Sequence, residues 1–294
     1  MLCRKGNRFT TTEHQHPCDT VLPLNNPLPS SFSVCIVGAS RGIGQSVALS
    51  FAKAGAGNFI LGARTMEQLE VTRSHILQIK PDAHVLLQDC DATSYESVTR
   101  LANAVPNGKL DALIFNSGFS GPVVLRITDT QPSDFQTAFD VNVQGTFNAA
   151  HAFIPLLLST QEGAKMFSVV NSMASWIVDG PIANAGYCIS KLAQNRLVEY
   201  LSNQYEKEGL FVTSIHPGAV ATDMAKTAPE EFKPYLVDSV DLCGHFMVWL
   251  CHHRKDIQWL SGRFLSAKWD PTELLEKREQ IVEKDLLKAR MDVQ

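Results

Sequence analysis

No apolar run in this 294-residue chain approaches the roughly 20 residues that a bilayer span requires, so no membrane-crossing segment is expected. No basic run or stripe stands out, and the formal net charge is -4, which excludes a general nucleic-acid binder. The 7 cysteines are odd in number, scattered and without metal-ligand spacing. They read as reduced thiols in an intracellular, cytoplasmic protein, with neither a disulfide framework nor a metal site. There is no internal repeat, low-complexity linker or second compositional regime, which favours one principal domain. Residues 1–31 carry Pro, Thr and His but no apolar core of a secretory signal, and are expected to be a disordered or irregular extension. The closing Met-Asp-Val-Gln is not a lipidation signal.

What is present is an alternation. Hydrophobic content of 45% and charged content of 19% suit a globular chain that buries a large core. Apolar runs at 33–37, 58–62, 84–88, 111–115, 166–171, 211–215 and 263–266 are bounded by Gly, Asn or Asp. Helical patterns near 42–54, 66–79, 94–104, 133–158, 186–207 and 238–252 separate them. That is the signature of a mostly parallel sheet covered on both faces, an α/β fold occupying residues 32–270. The remainder, 271–294, is expected to hold one charged amphipathic helix, with Leu274, Leu275, Ile281, Val282, Leu286 and Leu287 available for packing against the domain or another subunit.

Two patterns carry chemistry. The first runs from Val34 to Gly44 as strand, glycine loop and helix start. Gly38 permits a tight turn, Gly42 lets backbone approach a pyrophosphate, and Gly44 lets helix and strand pack closely. Ser40, Arg41 and Ile43 complete a loop whose helix N-terminus offers free N–H groups to phosphate. The second is Tyr187 and Lys191, four residues apart on one helical face. A fixed ammonium near a phenol stabilises phenolate, which would lower the tyrosine pKa toward the range of a working acid or base. The pair alone is weak, because Tyr and Lys meet at this spacing by chance in many helices.

The loop spacing G-x-x-x-G-x-G, together with Tyr-x-x-x-Lys, resembles the short-chain dehydrogenase/reductase family over residues 34–270. The resemblance implies a single Rossmann-type doubly wound domain with a seven-stranded sheet. Phe115-Asn116-Ser117-Gly118 lies where the family has Asn-Asn-Ala-Gly, so Asn116 and Gly118 match while Phe115 and Ser117 depart. Val37 stands where threonine is usual. Asn142 matches the asparagine that supports a proton-relay water. Asn171-Ser172 occupies the position of a serine pair, which makes Ser172 the hydroxyl that holds a substrate oxygen. Ser172 lies 187 − 172 = 15 positions before the tyrosine, and Ser175 is the alternative. Pro217, Gly218, Val220 and Thr222 match the nicotinamide-side segment, and Asp91 the adenine contact. His216 reads as structural.

At the end of the second strand Ala63 replaces the acid that binds a ribose 2′-hydroxyl, and Arg64 follows. With Arg41, this favours a 2′-phosphate, hence NADP(H), with NAD(H) possible. The resemblance implies hydride transfer between cofactor and a ketone or secondary alcohol, and a homodimer or homotetramer through helices 133–158 and 186–207. Met173, Trp176, Ile177 and the segment 223–237 predict a hydrophobic substrate. Residues 263–270 resemble reductases of filamentous fungi, many of them in secondary metabolism. Two other functions fit the same pattern: a non-redox isomerase or dehydratase of this fold, and a catalytically silent dinucleotide sensor. Cofactor-dependent turnover would exclude the sensor, and product formation without NADPH consumption would indicate the non-redox enzyme.

Overall fold

The computed structural model describes residues 9–291. Seven strands, β1 (Ser33–Val37), β2 (Asn58–Ala63), β3 (His84–Asp89), β4 (Ala112–Phe115), β5 (Met166–Val170), β6 (Phe211–His216) and β7 (Arg263–Ser266), form one sheet in the order 3-2-1-4-5-6-7. Every neighbouring pair is parallel. The sheet expected as mostly parallel is therefore wholly so. Parallel strands need crossovers, and the helices supplying them cover both faces.

On one face lie α1 (Gly42–Lys53), α2 (Met66–Ile79) and α7 (Asp241–His252). They bury Val47, Leu69 and Phe246 with Val34 and Ile36 of β1. On the other lie α3 (Tyr95–Asn103), α5 (Gly145–Ser159) and α6 (Ala185–Gln204). There Leu101, Phe153 and Val198 pack against Cys35 and Val37. Alternate residues of β1 thus serve opposite cores, as a period of two requires. The chain crosses the sheet between β3 and β4, so strand order reverses beside β1 and leaves a crevice at the carboxyl ends of β1 and β4.

The helical stretch expected over 133–158 is α4 (Pro132–Phe139), a π turn at Asp140–Gln144, then α5. The π turn contains Asn142, which is fully buried. Such an inserted residue re-aims side chains and recurs at functional sites.

Both ends differ from expectation. Residues 9–31 hold two short 3-10 turns, Asp19–Val21 and Pro23–Asn25, and are packed down. His14 N donates to Lys268 O at 2.7 Å, Leu28 N to Ala54 O at 2.7 Å, and Ser239 N to Gln15 O at 2.7 Å. Val21 is buried, and Phe9 lies 5.3 Å from the Trp269 ring. Backbone hydrogen bonds and a few apolar anchors without periodicity hold this segment, so no sequence pattern marks it. Residues 1–8 lie outside the described residues.

The single C-terminal helix expected over 272–290 is instead α8 (Pro271–Glu276) and α9 (Arg278–Glu283), followed by irregular chain. The physical reason is the outer edge of β7. Phe264 N donates to Leu287 O at 2.8 Å, and Arg263 binds Leu286 O and, at 3.0 Å, Asp285. A continued helix would have used those carbonyls internally. Asp285 and Leu287 adopt positive φ (46° and 66°) to present them.

Candidate active site

The crevice at the carboxyl ends of the strands is a cleft of about 860 Å³. Its first wall is the turn from β1 into α1. Gly38 has φ +93°, and a Cβ there would stand 2.8 Å from Ser117 N. A Cβ on Gly44 would collide with the Gly38 carbonyl oxygen and lie 2.6 Å from Asn116 Nδ2. Only glycine fits at either place. Asn116 Nδ2 donates to Gly38 O at 2.8 Å, and its backbone N–H to Val37 O at 2.9 Å. The end of β4 is thereby tied to the loop. Gly38, Ser40, Arg41, Gly42 and Ile43 face the cleft, while Gly44 stands behind them as packing.

Further along, Ala63, Arg64, Thr65 and Gln68 meet Asp91, Ala92 and Thr93. Asp91 Oδ1 accepts from Thr93 N and Oγ1 at 2.9 and 2.8 Å, which fixes its carboxylate at the end of β3. Arg64 is exposed and, among the described residues, has no acidic partner. Arg41 pairs with Asp223 at 3.4 Å, and Asp223 also pairs with Lys226 at 2.5 Å. The two arginines expected to act together are therefore unequal.

Tyr187 and Lys191 rise from the first two turns of α6, and both line the cleft. Lys191 Nζ lies 5.8 Å from the tyrosine ring centroid and donates to Val170 O at 3.0 Å. The expectation that the ammonium lowers the phenol pKa does not hold in this state. Burial pushes Tyr187 up to about 12, and only a hydrogen bond with Ser172 opposes it. Burial also pulls Lys191 down to about 7. Desolvation penalises the charged form of each, and for Tyr187 it outweighs any attraction from the neighbouring ammonium.

Neither Ser172 nor Ser175 lines the cleft, and their hydroxyls are turned differently. Ser172 Oγ accepts from Ala174 N at 3.1 Å, and the Ser172 side chain acts to lower the Tyr187 pKa. Ser175 Oγ is buried and donates to Ser172 O at 2.8 Å, turned into the backbone. Asn171, which departs from the serine pair, braces its neighbour. Its Oδ1 accepts from Ser172 N at 2.7 Å, and its Nδ2 donates to Lys191 O at 3.0 Å and Asn195 Oδ1 at 2.8 Å. Phe115 is likewise accommodated, in the core 3.0 Å from where a Gly145 Cβ would stand.

Asn142 stands beside Lys191 across Gly118. A Cβ on that glycine would lie 3.5 Å from Asn142 Oδ1 and 3.8 Å from Lys191 Nζ. Its amide is fully engaged: Oδ1 accepts from Phe119 N, and Nδ2 donates to Phe119 O and Ser190 Oγ, each at 2.9 Å. Pro217 and Thr222 line the cleft, whereas Gly218 and Val220 do not. Those two instead pack on Asp238, with Val220 bridging it in parallel and Gly218 at φ +100°. His216 is structural: its Nδ1 accepts from Met173 N at 3.3 Å, and burial holds its pKa down to about 4.

The wall facing Tyr187 differs from expectation. Met173, Trp176 and Ile177 do not line the cleft; Trp176 packs edge-on against Phe264 at 5.8 Å. Of the segment 223–237, only Asp223 and Met224 reach it. The apolar surface comes from Phe119, Pro122, Val123 and Val141, which no motif marked.

Away from the cleft, ligand atoms of His14, Cys18 and Asp270 lie within 4.8 Å of one another. Asp270 already caps α8, accepting from Thr272 N and Glu273 N at 2.9 and 3.0 Å, and bonds His14 Nε2 at 2.9 Å. Beside the positive end of a helix, this trio is a tie between the N-terminal segment and α8.

The glycine cradle, the phosphate-facing helix start and the open ribose side fit a dinucleotide. The short chain dehydrogenase family matches residues 33–233. The chain is 35% identical to the short chain dehydrogenase pgmD of Aspergillus terreus over 302 aligned residues, covering 98% of this chain and 95% of that one. It is 36% identical to the short chain dehydrogenase mpl6 of Monascus purpureus, covering 88% of each. A solved 7α-hydroxysteroid dehydrogenase complexed with NADH and 7-oxo glycochenodeoxycholic acid has the same fold, with a TM-score of 0.72 at 24% identity over 86% of this chain and 97% of that one. The chain belongs to the short-chain dehydrogenase family and is an oxidoreductase acting on CH–OH groups. No helix among the described residues is long and apolar enough to cross a membrane.

Proposed function

We propose that this enzyme interconverts a ketone and a secondary alcohol on a hydrophobic small molecule, using NADP(H), in fungal secondary metabolism. The observation that carries this is Tyr187, one turn ahead of buried Lys191 on α6, with both side chains on the wall of the cleft that the glycine loop opens. NADPH, when bound, supplies the hydride to the carbonyl carbon. Ser172 and Tyr187 hold the carbonyl oxygen, and the Tyr187 hydroxyl gives its proton to that oxygen as the C–O double bond is reduced. The phenol carries its proton at neutral pH, and a charged Lys191 beside it would ease the transfer that burial alone opposes. Lys191, between Tyr187 and Asn142, marks the side from which the proton is replaced. Arg64 beside Ala63 supports the preference for a 2′-phosphate.

A panel of ketones and alcohols with NADPH and NADH tests this reading. Tyr187→Phe is expected to lose roughly 10²–10⁴-fold in turnover while NADPH affinity is retained. Wild-type rates in that variant would reject the assignment. Exposed Phe147, Ile189, Leu192 and Tyr200 on α5 and α6 support a cytoplasmic homodimer or homotetramer; a sedimentation mass of one chain would count against it.

A further inference from the structure

Asn184 is a buried polar residue that no part of this chemistry uses. It is the N-cap of α6, its Oδ1 accepting from Gly186 N at 3.1 Å and its carbonyl from Cys188 N at 2.9 Å. Its amide nitrogen points the other way, across the cleft wall. Nδ2 donates to Ser120 O at 2.8 Å and to Pro122 O at 2.7 Å. Between those two carbonyls Gly121 turns through φ +64°, with the Phe119 ring 3.2 Å from where its Cβ would stand.

A helix cap needs only the oxygen. Both amide hydrogens are instead spent on a loop 62 and 64 residues earlier in the chain. That loop has no secondary structure to hold it, and its residues Phe119 to Val123 line the same cleft as Tyr187 and Lys191. Its near end is held at Phe119 by Asn142, which also binds Ser190 on α6. Ser190 Oγ in turn donates to Tyr187 O at 2.8 Å. Asn142 and Asn184 therefore pin the two ends of one short segment to the turn of helix that carries the tyrosine.

We propose that Asn184 is a positioning residue that sets the distance between the 119–123 wall and the Tyr187 hydroxyl, and so determines which bulk of ketone is held for reduction. This rests on the carbonyl-reducing reading above. Without its two bonds the wall is anchored at Phe119 alone, and a substrate pressed against Pro122 or Val123 is no longer held at a fixed depth. A misplacement of this kind acts on substrate binding and leaves cofactor contacts alone.

Asn184→Ser keeps a capping oxygen but cannot reach the loop, and Asn184→Asp keeps the cap while placing an oxygen against two carbonyls. Both variants are compared with wild type using small and bulky apolar ketones, NADPH titration and amide exchange followed by mass spectrometry. The expected result is a KM raised about tenfold for bulky ketones from two lost hydrogen bonds. Turnover of small ketones and NADPH affinity stay unchanged, and exchange is faster over 119–123 but not over α6. Unchanged exchange over 119–123 in both variants overturns the proposal, whether or not any ketone is reduced. Faster exchange with an unchanged KM for every ketone also overturns it. Wild-type protein that reduces no ketone, with faster exchange in the variants, rejects the carbonyl-reducing reading while leaving the tether in place.

Discussion

The two walls of the cleft are built on different principles. The cofactor wall is backbone: Gly38 and Gly44 bring main chain where no side chain fits, Gly42 takes φ +56°, and Asn116 locks the loop to β4. The substrate wall is side chain on irregular loop, with Phe119, Pro122 and Val123 held by asparagine amides from two helices. The first wall leaves no room for a side chain at Gly38 or Gly44. The second is irregular loop, the kind of segment that tolerates change of side chain more readily than a close-packed turn does.

The largest effect that would sharpen this contrast is expected at the junction of the walls. Ser172→Ala should lower kcat by about 10²–10³-fold, the usual cost of one donor to a developing oxyanion. Ser175→Ala should leave kcat within about twofold, since its hydroxyl serves only the Ser172 carbonyl. Steady-state kinetics of the two side by side would decide between them; equal losses would undo the assignment.

Next is the rigid wall. Gly44→Ala forces a methyl into the Gly38 carbonyl and should cost about 1–3 kcal/mol in urea unfolding, together with loss of NADPH fluorescence enhancement. If binding survives intact, the loop is softer than its contacts indicate. A smaller effect is expected at the rim: Arg64→Ala should weaken NADPH by about tenfold and leave NADH unchanged, as one charge-assisted contact is lost. Arg41→Ala should do less, because Arg41 is already paired with Asp223.

The smallest effect is a fraction of a proton. Lys191, with its pKa depressed to about 7, is largely neutral above that pH in the cofactor-free protein. An anionic dinucleotide favours its charged form. NADPH binding at pH 8 should therefore take up protons, and at pH 6 should not, as read by calorimetry in buffers of different ionisation enthalpy. For stability the sign runs the same way. A lysine depressed on folding contributes stability that is present above its unfolded pKa of 10.5 and lost as pH falls toward 7. Tyr187, raised from 10.0 to about 12, adds stability below pH 10 that is lost above it.

The rigid wall was legible in sequence because glycine is the one residue whose absence of a side chain is itself a signal. Gly38, Gly42, Arg64 and Asp91 were placed by motif and strand end alone, as was the sheet that carries them. The tyrosine–lysine pair was found, but not its electrostatics. Spacing shows proximity, while a pKa depends on how completely the groups are desolvated. Phe119 to Val123 have no periodicity to mark an apolar wall, and Trp176, close in sequence to Ser172, packs on Phe264 instead. Asn184 gave no sign beyond an ordinary cap, since its second pair of bonds joins segments distant in the chain.

The tail that follows α9 has a consequence for the enzyme's behaviour in a crowded solution. By giving the Leu287 carbonyl to Phe264, it occupies the outer margin of an otherwise open seven-strand sheet. Without residues 284–291 that margin would present unpaired amide groups along β7, a template onto which another extended chain could add. The same few residues that look like a frayed ending in sequence thus cover part of one edge of the sheet.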